Sequence, residues 1–446
     1  MHGLVTQYKD FSPEHEFLLA LLAGGESCDL ADRAAQLDWE HFFDVTPADL
    51  YGYMGYRLTE AGVQDHCPSK LFDQTRNARR AIAAQWLRLK IELRNVASSF
   101  EAQHVDFLLL KGAVLAFNAY PDCSLRPVSD IDLLVRPESL NRALGCIYAT
   151  GFKCPERIQR AHPLSFTDSA LLGENVSLPL QKDGTRAVIE VHTQLESAEP
   201  WFPMSVAQMW QSSQEQDVGG LRVHTLEPRE FLFHLILHLA RAHVYSLGLR
   251  PLLDVHLWIQ LQSGHLDWQW IGSECLRRGY TEWAHLTLRL VRDLFGTNVP
   301  ASFFKTVPPP IGLDHLAHLA LQQIWANRRL DSLVPPRLAI TLSQPSLWGA
   351  ISTLFTRLKP TGRPAGNATI PAMEQSKSRG LLAGLHALKN DLSLKMPQYV
   401  RAWHSGSLRW SNLMEAARLA KGRVEIKRTM ENVRPAFSSL QEPRSR

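Results

Sequence analysis

The run Val128-Ser129-Asp130-Ile131-Asp132-Leu133-Leu134-Val135 constrains this chain more than any other part of it. Apart from Ser129 and the two aspartates it is wholly apolar, which predicts an internal strand over 128–135. Side chains alternate faces along a strand, so Asp130 and Asp132 share one face. Two carboxylates held side by side repel, and a fold tolerates them best when a cation sits between them. Mg²⁺ takes oxygen ligands and accepts two carboxylates together with phosphate oxygens. The competing reading is a strand end leaving the core with two solvated acids.

The surroundings bear on that choice. Upstream, a short apolar run over 105–110 leads into Leu110-Lys111-Gly112, a strand-to-helix turn whose backbone N–H groups suit a phosphate. Residues 113–120 read as a helix stopped by Pro121, and 139–150 as a second helix ended by Gly151. Downstream, 187–192 is a strand candidate that puts Glu190 and His192 on one face. A third carboxylate on a neighbouring strand would complete a two-metal site. Residues 217–223 suggest a hairpin. Helices interleaved with short strands over 105–225 predict an α/β or α+β domain.

Both flanks read as helical. Ile82, Trp86, Leu89, Leu93, Val96 and Phe100 recur three or four residues apart and form one stripe of a helix over 77–100. Arg79, Arg80, Arg88, Lys90 and Arg94 lie mostly off that stripe, as a solvated basic face. Helical spacing returns after Pro228, with Phe231, Leu232, Leu235, Leu239 and Ala242 on one stripe and further helices near 252–259 and 284–295. His234 and His238 stand one turn apart, as a zinc pair does, but their apolar flanks favour satisfied core histidines. Three prolines in a row at 308–310 mark a turn or linker.

Length and composition set the remaining bounds. With 446 residues the chain exceeds one small domain, and 45% hydrophobic with 21% charged residues excludes a disordered chain, a collagen and a coiled-coil rod. The net charge of +4 identifies no polyanionic partner, although residues 301–446 carry 21 Lys and Arg against 8 Asp and Glu. The six cysteines include no C-x-x-C pair, which fits a reducing compartment. The first ten residues hold no apolar signal-peptide core, and no apolar window reaches the roughly 18–20 residues of a membrane span. A cytoplasmic protein without a membrane span is expected.

Taken in order, Leu109-Leu110-Lys111-Gly112, Tyr120, Arg126, Ser129 through Val135, Gly151-Phe152 and Glu190-Val191-His192 resemble the polymerase-β-type nucleotidyltransferase superfamily. Leu226-Glu227-Pro228, His234, His238 and Arg250-Pro251-Leu252-Leu253-Asp254 extend the resemblance to the bacterial family of uncharacterised nucleotidyltransferases, over roughly residues 75–300. Gly112 is followed by Ala113 where the superfamily usually has Gly-Gly or Gly-Ser. A serine hydroxyl for the phosphates is therefore missing there, and Lys111 or Ser129 substitutes for it or the triphosphate is held differently.

The resemblance implies an α+β fold. A minimal nucleotidyltransferase core, a short mixed sheet with helices, would occupy 101–225. A helical region over 1–100, a helical accessory domain over 226–306 and a basic helical region over 307–446, with a mobile loop near 361–378, would flank it. The implied reaction moves a nucleoside monophosphate from an NTP, ATP foremost, to an unidentified small-molecule, sugar or protein acceptor, releasing pyrophosphate. Asp130, Asp132 and Glu190 would hold two Mg²⁺ ions, for which Mn²⁺ can substitute. Lys111, Gly112, Arg126 and Ser129 would meet the nucleotide, and His192, Arg250 and Asp254 the acceptor. Each has a plainer alternative: an exposed turn lysine, a glycine that only makes the turn, a salt bridge from Arg126 to Asp122 or Asp130, an orienting hydrogen bond from His192 to a carboxylate, and an i,i+4 pair between Arg250 and Asp254. Two other functions remain open. One is a catalytically degenerate, antitoxin-like NTP-binding protein; the other is an RNA-modifying enzyme whose basic last third, with Trp403, Trp410 and Phe437, clamps nucleic acid, which is less favoured because RNA-binding signatures are absent.

Overall fold

A computed structural model of the chain describes residues 11–155, 177–185, 187–195, 206–326 and 410–432. The loop expected near 361–378, Trp403, Phe437 and most of the basic last third lie outside them. The chain divides into two compact units, one of the residues up to His243 with Leu247–Leu313, the other of Val244–Ser246 with the residues from Asp314 onward.

The first unit begins with five helices, α1 (Pro13–Ala23), α2 (Ser27–Ala34), α3 (Trp39–Val45), α4 (Tyr51–Glu60) and α5 (Ser69–Ala102). The stripe read from the sequence is the buried face of α5: Ile82, Trp86, Leu89, Leu93, Val96 and Phe100 are all in the core, while Arg79, Arg80, Arg88 and Arg94 are exposed. The helix starts earlier than expected, because residues 69–76 contain no breaker and Thr75 packs against α4. Gly55 permits that approach; a Cβ there would come within 2.6 Å of Thr75 Cβ.

Among the described residues seven strands form one mixed sheet: β1 (Phe107–Leu109), β2 (Ile131–Val135), β3 (Phe152–Lys153), β4 (Ser177–Lys182), β5 (Val188–His192), β6 (Gln214–Asp217) and β7 (Arg222–Thr225), in the order β3-β4-β5-β2-β1-β7-β6. β2 runs parallel to β5 and β1 to β7; the other neighbours are antiparallel. The mixed α+β class agrees with the sequence, but the sheet is larger than the short one expected. β4 carries no strand signal because Pro179 sits in its middle. Among the described residues β3 pairs only with Gln181 and Lys182, and Pro179 pairs on the other side with Glu190 of β5. The connections α6 (Lys111–Asn118) and α7 (Leu140–Ala149) follow β1 and β2.

Helices Pro228–Leu237, Arg250–Leu261 and Thr281–Phe295 pack on one another after the sheet. Arg278 fixes the next helix, Trp268–Arg278, through a buried two-pronged pair with Glu230 at 2.8 and 2.6 Å. In the second unit Gln323 joins two helices: its side-chain nitrogen donates to the Leu419 carbonyl at 3.0 Å, and its oxygen accepts from Arg423 at 3.0 Å. Among the described residues no helix is long and apolar enough to cross a membrane.

His256 gives the first unit a measurable acid sensitivity. Thr297 donates its hydroxyl proton to the Val291 carbonyl, so it accepts from His256 Nδ1–H at 2.7 Å. The remaining nitrogen, Nε2, is buried without a partner. Burial pushes this imidazole down to about 4 from its ordinary 6.5. The unfolded chain therefore binds the proton first. Stability is complete above about pH 6.5 and falls as the pH drops toward 4, by roughly 3 kcal/mol from this one group. Urea unfolding at pH 7 and pH 4 should show a loss smaller by about that amount in His256→Leu than in the unaltered chain.

Candidate active site

Parallel pairing of β2 with β5 sets Asp132 beside Glu190 and Leu134 beside His192. The alternation along β5 then puts Glu190 and His192 on one face with Asp132. One donor atom from each of these three lies within 4.8 Å of the others. His192 Nε2 is 3.0 Å from Asp132 Oδ1 and 3.8 Å from Glu190 Oε2. Asp130 is placed differently from the expectation. β2 begins only at Ile131, so Asp130 stands on the approach to the strand, where it accepts a hydrogen bond from Ser129 Oγ at 2.7 Å. It still lines the same cavity, of about 480 Å³, as Lys111, Ser129, Asp132, Glu190 and His192. That volume lies within the roughly 300–1,000 Å³ usual for ligand pockets.

The charges here are unequally compensated. Burial alone would raise the Asp132 carboxyl, but the Lys111 ammonium at 2.8 Å and the His192 ring outweigh it and hold it well below the carboxylate range. Burial and the neighbouring charge of Asp132 raise the Asp130 carboxyl, with Glu190 adding to the effect. The site thus carries more negative charge at Asp130 than its own cations offset. Oxygen donors in that condition suit a hard divalent cation. Lys111 itself has φ +42°, a left-handed conformation that costs a non-glycine residue about 1–2 kcal/mol. The αL residue of the turn is the lysine, while Gly112 is already helical.

Arg126 corrects the sequence reading. Its guanidinium is buried and makes four hydrogen bonds: Nε and Nη2 donate to the two Asp254 oxygens at 2.8 Å each, and Nη1 to the carbonyls of Gly112 at 3.2 Å and Pro127 at 3.4 Å. Its carboxylate partner is Asp254, not Asp122 or Asp130, and both residues of the pair line the cavity. Tyr120 donates to Asp254 Oδ1 at 2.8 Å. Gly112 serves the clamp, since a Cβ there would stand 2.8 Å from Arg126 Nη1. Asp254 is likewise not Arg250's helical partner. Arg250 reaches instead to Asp49 at 3.4 Å and to the Pro127 carbonyl at 2.9 Å, and lines the cavity from that position. Helix α5 supports the same loop: Trp86 Nε1 donates to the Arg126 carbonyl at 2.9 Å and Gln85 to that of Val128.

Of the neighbouring histidines His234, His238 and His243, the last two line the cavity. His234 is fully buried, as a core histidine should be, but neither ring nitrogen has a hydrogen-bond partner, so it is not a satisfied one. Burial and the nearby Lys111 charge keep His234, His238 and His243 below their ordinary pKa. His238 and His243 both line the cavity, with ring centroids 4.5 Å apart. A π-helical turn, His238–Ala242, brings them together. Such turns recur at functional sites. The sequence reading missed His243 because a separation of five matches no α-helical face.

A model of the family described as an uncharacterised nucleotidyltransferase matches residues 35–296, well over half of the chain and every cavity residue named above. No curated protein and no solved structure matches it.

The Arg126 clamp is open to direct measurement. Asp254→Ala leaves a buried guanidinium without its counter-charge, and should lower stability by about 3–5 kcal/mol in denaturant melts.

Proposed function

The chain belongs to the uncharacterised nucleotidyltransferase family, and from that premise we propose that it moves a nucleoside monophosphate from an NTP, ATP foremost, to an acceptor hydroxyl or phosphate and releases pyrophosphate. The observation that carries this reading is the meeting of Asp130, Asp132 and Glu190 with Lys111 in one cavity of about 480 Å³. Asp130, Asp132 and Glu190 are the residues to hold divalent metal, Mg²⁺ or Mn²⁺, and the raised carboxyl of Asp130 is the feature of the site that fits a cation there. Bound metal would supply Lewis-acid stabilisation of the leaving pyrophosphate and a lowered pKa for the attacking hydroxyl.

The chain's own groups divide the remaining work. Lys111, on a turn anchored by Arg126, neutralises triphosphate oxygens as a point charge. Ser129, exposed beside Asp130, has a hydroxyl within reach of the same phosphates. Glu190 is the group to accept the acceptor's proton, because its side chain is more open to the cavity than that of Asp132, 24% against 5% exposed. Arg250 stands on the cavity wall as an acceptor-side cation. Arg126 and Asp254 act only by positioning. The acceptor is a small molecule, a sugar or a protein.

A second reading, nucleotide binding without transfer, draws on one observation: Lys111 already neutralises Asp132. NTP uptake with no pyrophosphate released under any divalent ion would favour it.

The deciding assay is pyrophosphate release from each of the four NTPs, with and without Mg²⁺, in a cell extract as acceptor source. Metal-dependent release should fall at least about a thousandfold in Asp132→Asn and in Asp130→Ala, with melting curves that keep a cooperative transition. Release undiminished in both variants would sink the assignment.

A further inference from the structure

The three groups that converge most closely here are not three carboxylates. Asp130 stays off the strand on Ser129, and the third donor beside Asp132 and Glu190 is the ring nitrogen of His192. We infer that His192 is a metal ligand, and that it makes this a mixed oxygen–nitrogen site that takes a borderline divalent ion, Mn²⁺, in preference to Mg²⁺. The inference rests on the reading that Asp132 and Glu190 hold divalent metal.

Backbone register sets the placement. Asp132 and Glu190 are direct partners across β2 and β5, and His192 follows Glu190 by one strand repeat. The spacing also fits. Neighbouring donors around a six-coordinate ion with bonds of about 2.1 Å stand about 3 Å apart. His192 Nε2 is already 3.0 Å from Asp132 Oδ1, and 3.8 Å from Glu190 Oε2. The donors of Asp132 and His192 are largely withdrawn from solvent, with side chains 5% and 9% exposed. Imidazole suits first-row transition ions, whereas Mg²⁺ prefers oxygen.

The alternative role for His192 is to donate a hydrogen bond from Nε2 to Asp132. The two roles exclude each other, because ligation uses the Nε2 lone pair and leaves the proton on Nδ1. Electron spin-echo spectroscopy of the full chain loaded with Mn²⁺, without nucleotide, reads the difference. The expected result is a ¹⁴N coupling to Mn²⁺ that disappears in His192→Gln, with Mn²⁺ affinity lowered at least tenfold and Mn²⁺-over-Mg²⁺ selectivity lowered by a similar factor. His192→Asn serves as the second variant, and thermal melts of both confirm folding. The inference is overturned if Mn²⁺ shows oxygen ligands only, if the ¹⁴N coupling survives both substitutions, or if the unaltered chain takes up no Mn²⁺. Failure of the transfer reading looks different: nitrogen-bound Mn²⁺ with no pyrophosphate from any NTP. Mg²⁺-supported transfer in a chain whose Mn²⁺ has no nitrogen ligand would remove this inference alone.

Discussion

The buried pair of Arg126 and Asp254 is the interaction on which the site depends. One guanidinium binds both oxygens of an aspartate from the helical half of its unit and two carbonyls beside the cavity, Gly112 at the start of α6 and Pro127 before β2. A charge removed from water this far is stable only when every donor is matched, so the clamp admits little movement. Its consequences run outward. Gly112 must stay without a side chain, the turn at Lys111 is held in a left-handed conformation, and the approach to Asp130 is fixed from the other side by Trp86 and Gln85.

Held by that frame, the site brings together charges that would separate in a free chain. Parallel pairing of β2 and β5 forces Asp132 and Glu190 into adjacent positions. Lys111 and His192 compensate Asp132, but Asp130 is left in a partly buried place beside like charge. The imbalance is directional: it invites positive charge toward Asp130 and Glu190, on the open side of the cavity. Burial and the Lys111 charge push the pKa of His234, His238 and His243 down, against their carrying positive charge. In the proposed reading, cation and triphosphate would meet the same two elements, the D-x-D strand and the lysine turn.

Much of this was legible in the residues. The apolar stripe of α5, the strands at 107–109, 131–135 and 188–192, and the shared face of Glu190 and His192 follow from periodicity, which is a local property. Other features were not. β4 is hidden by Pro179, a residue that argues against a strand when read locally. Arg126 offers the same donors to a phosphate as to a carboxylate, so residue type alone cannot choose between them. Arg250 and Asp254, one helical turn apart, form a plausible local pair, yet stronger partners at 126 and 49 divide them.

The sequence by itself determined the apolar face of α5, the strands at 107–109, 131–135 and 188–192 and the α+β class, and singled out the acids at 130, 132 and 190, because hydrophobic period and strand alternation act over a few residues. Tertiary structure alone decided which polar groups meet. It spent Arg126 on Asp254, seated Lys111 on Asp132, set Asp130 before the strand and brought His192 to Asp132 and Glu190. Those choices depend on burial and on partners brought in from elsewhere in the chain, 21 residues away for Lys111, 60 for His192 and 128 for Arg126, where a desolvated charge must take the best counter-charge that the fold brings within reach.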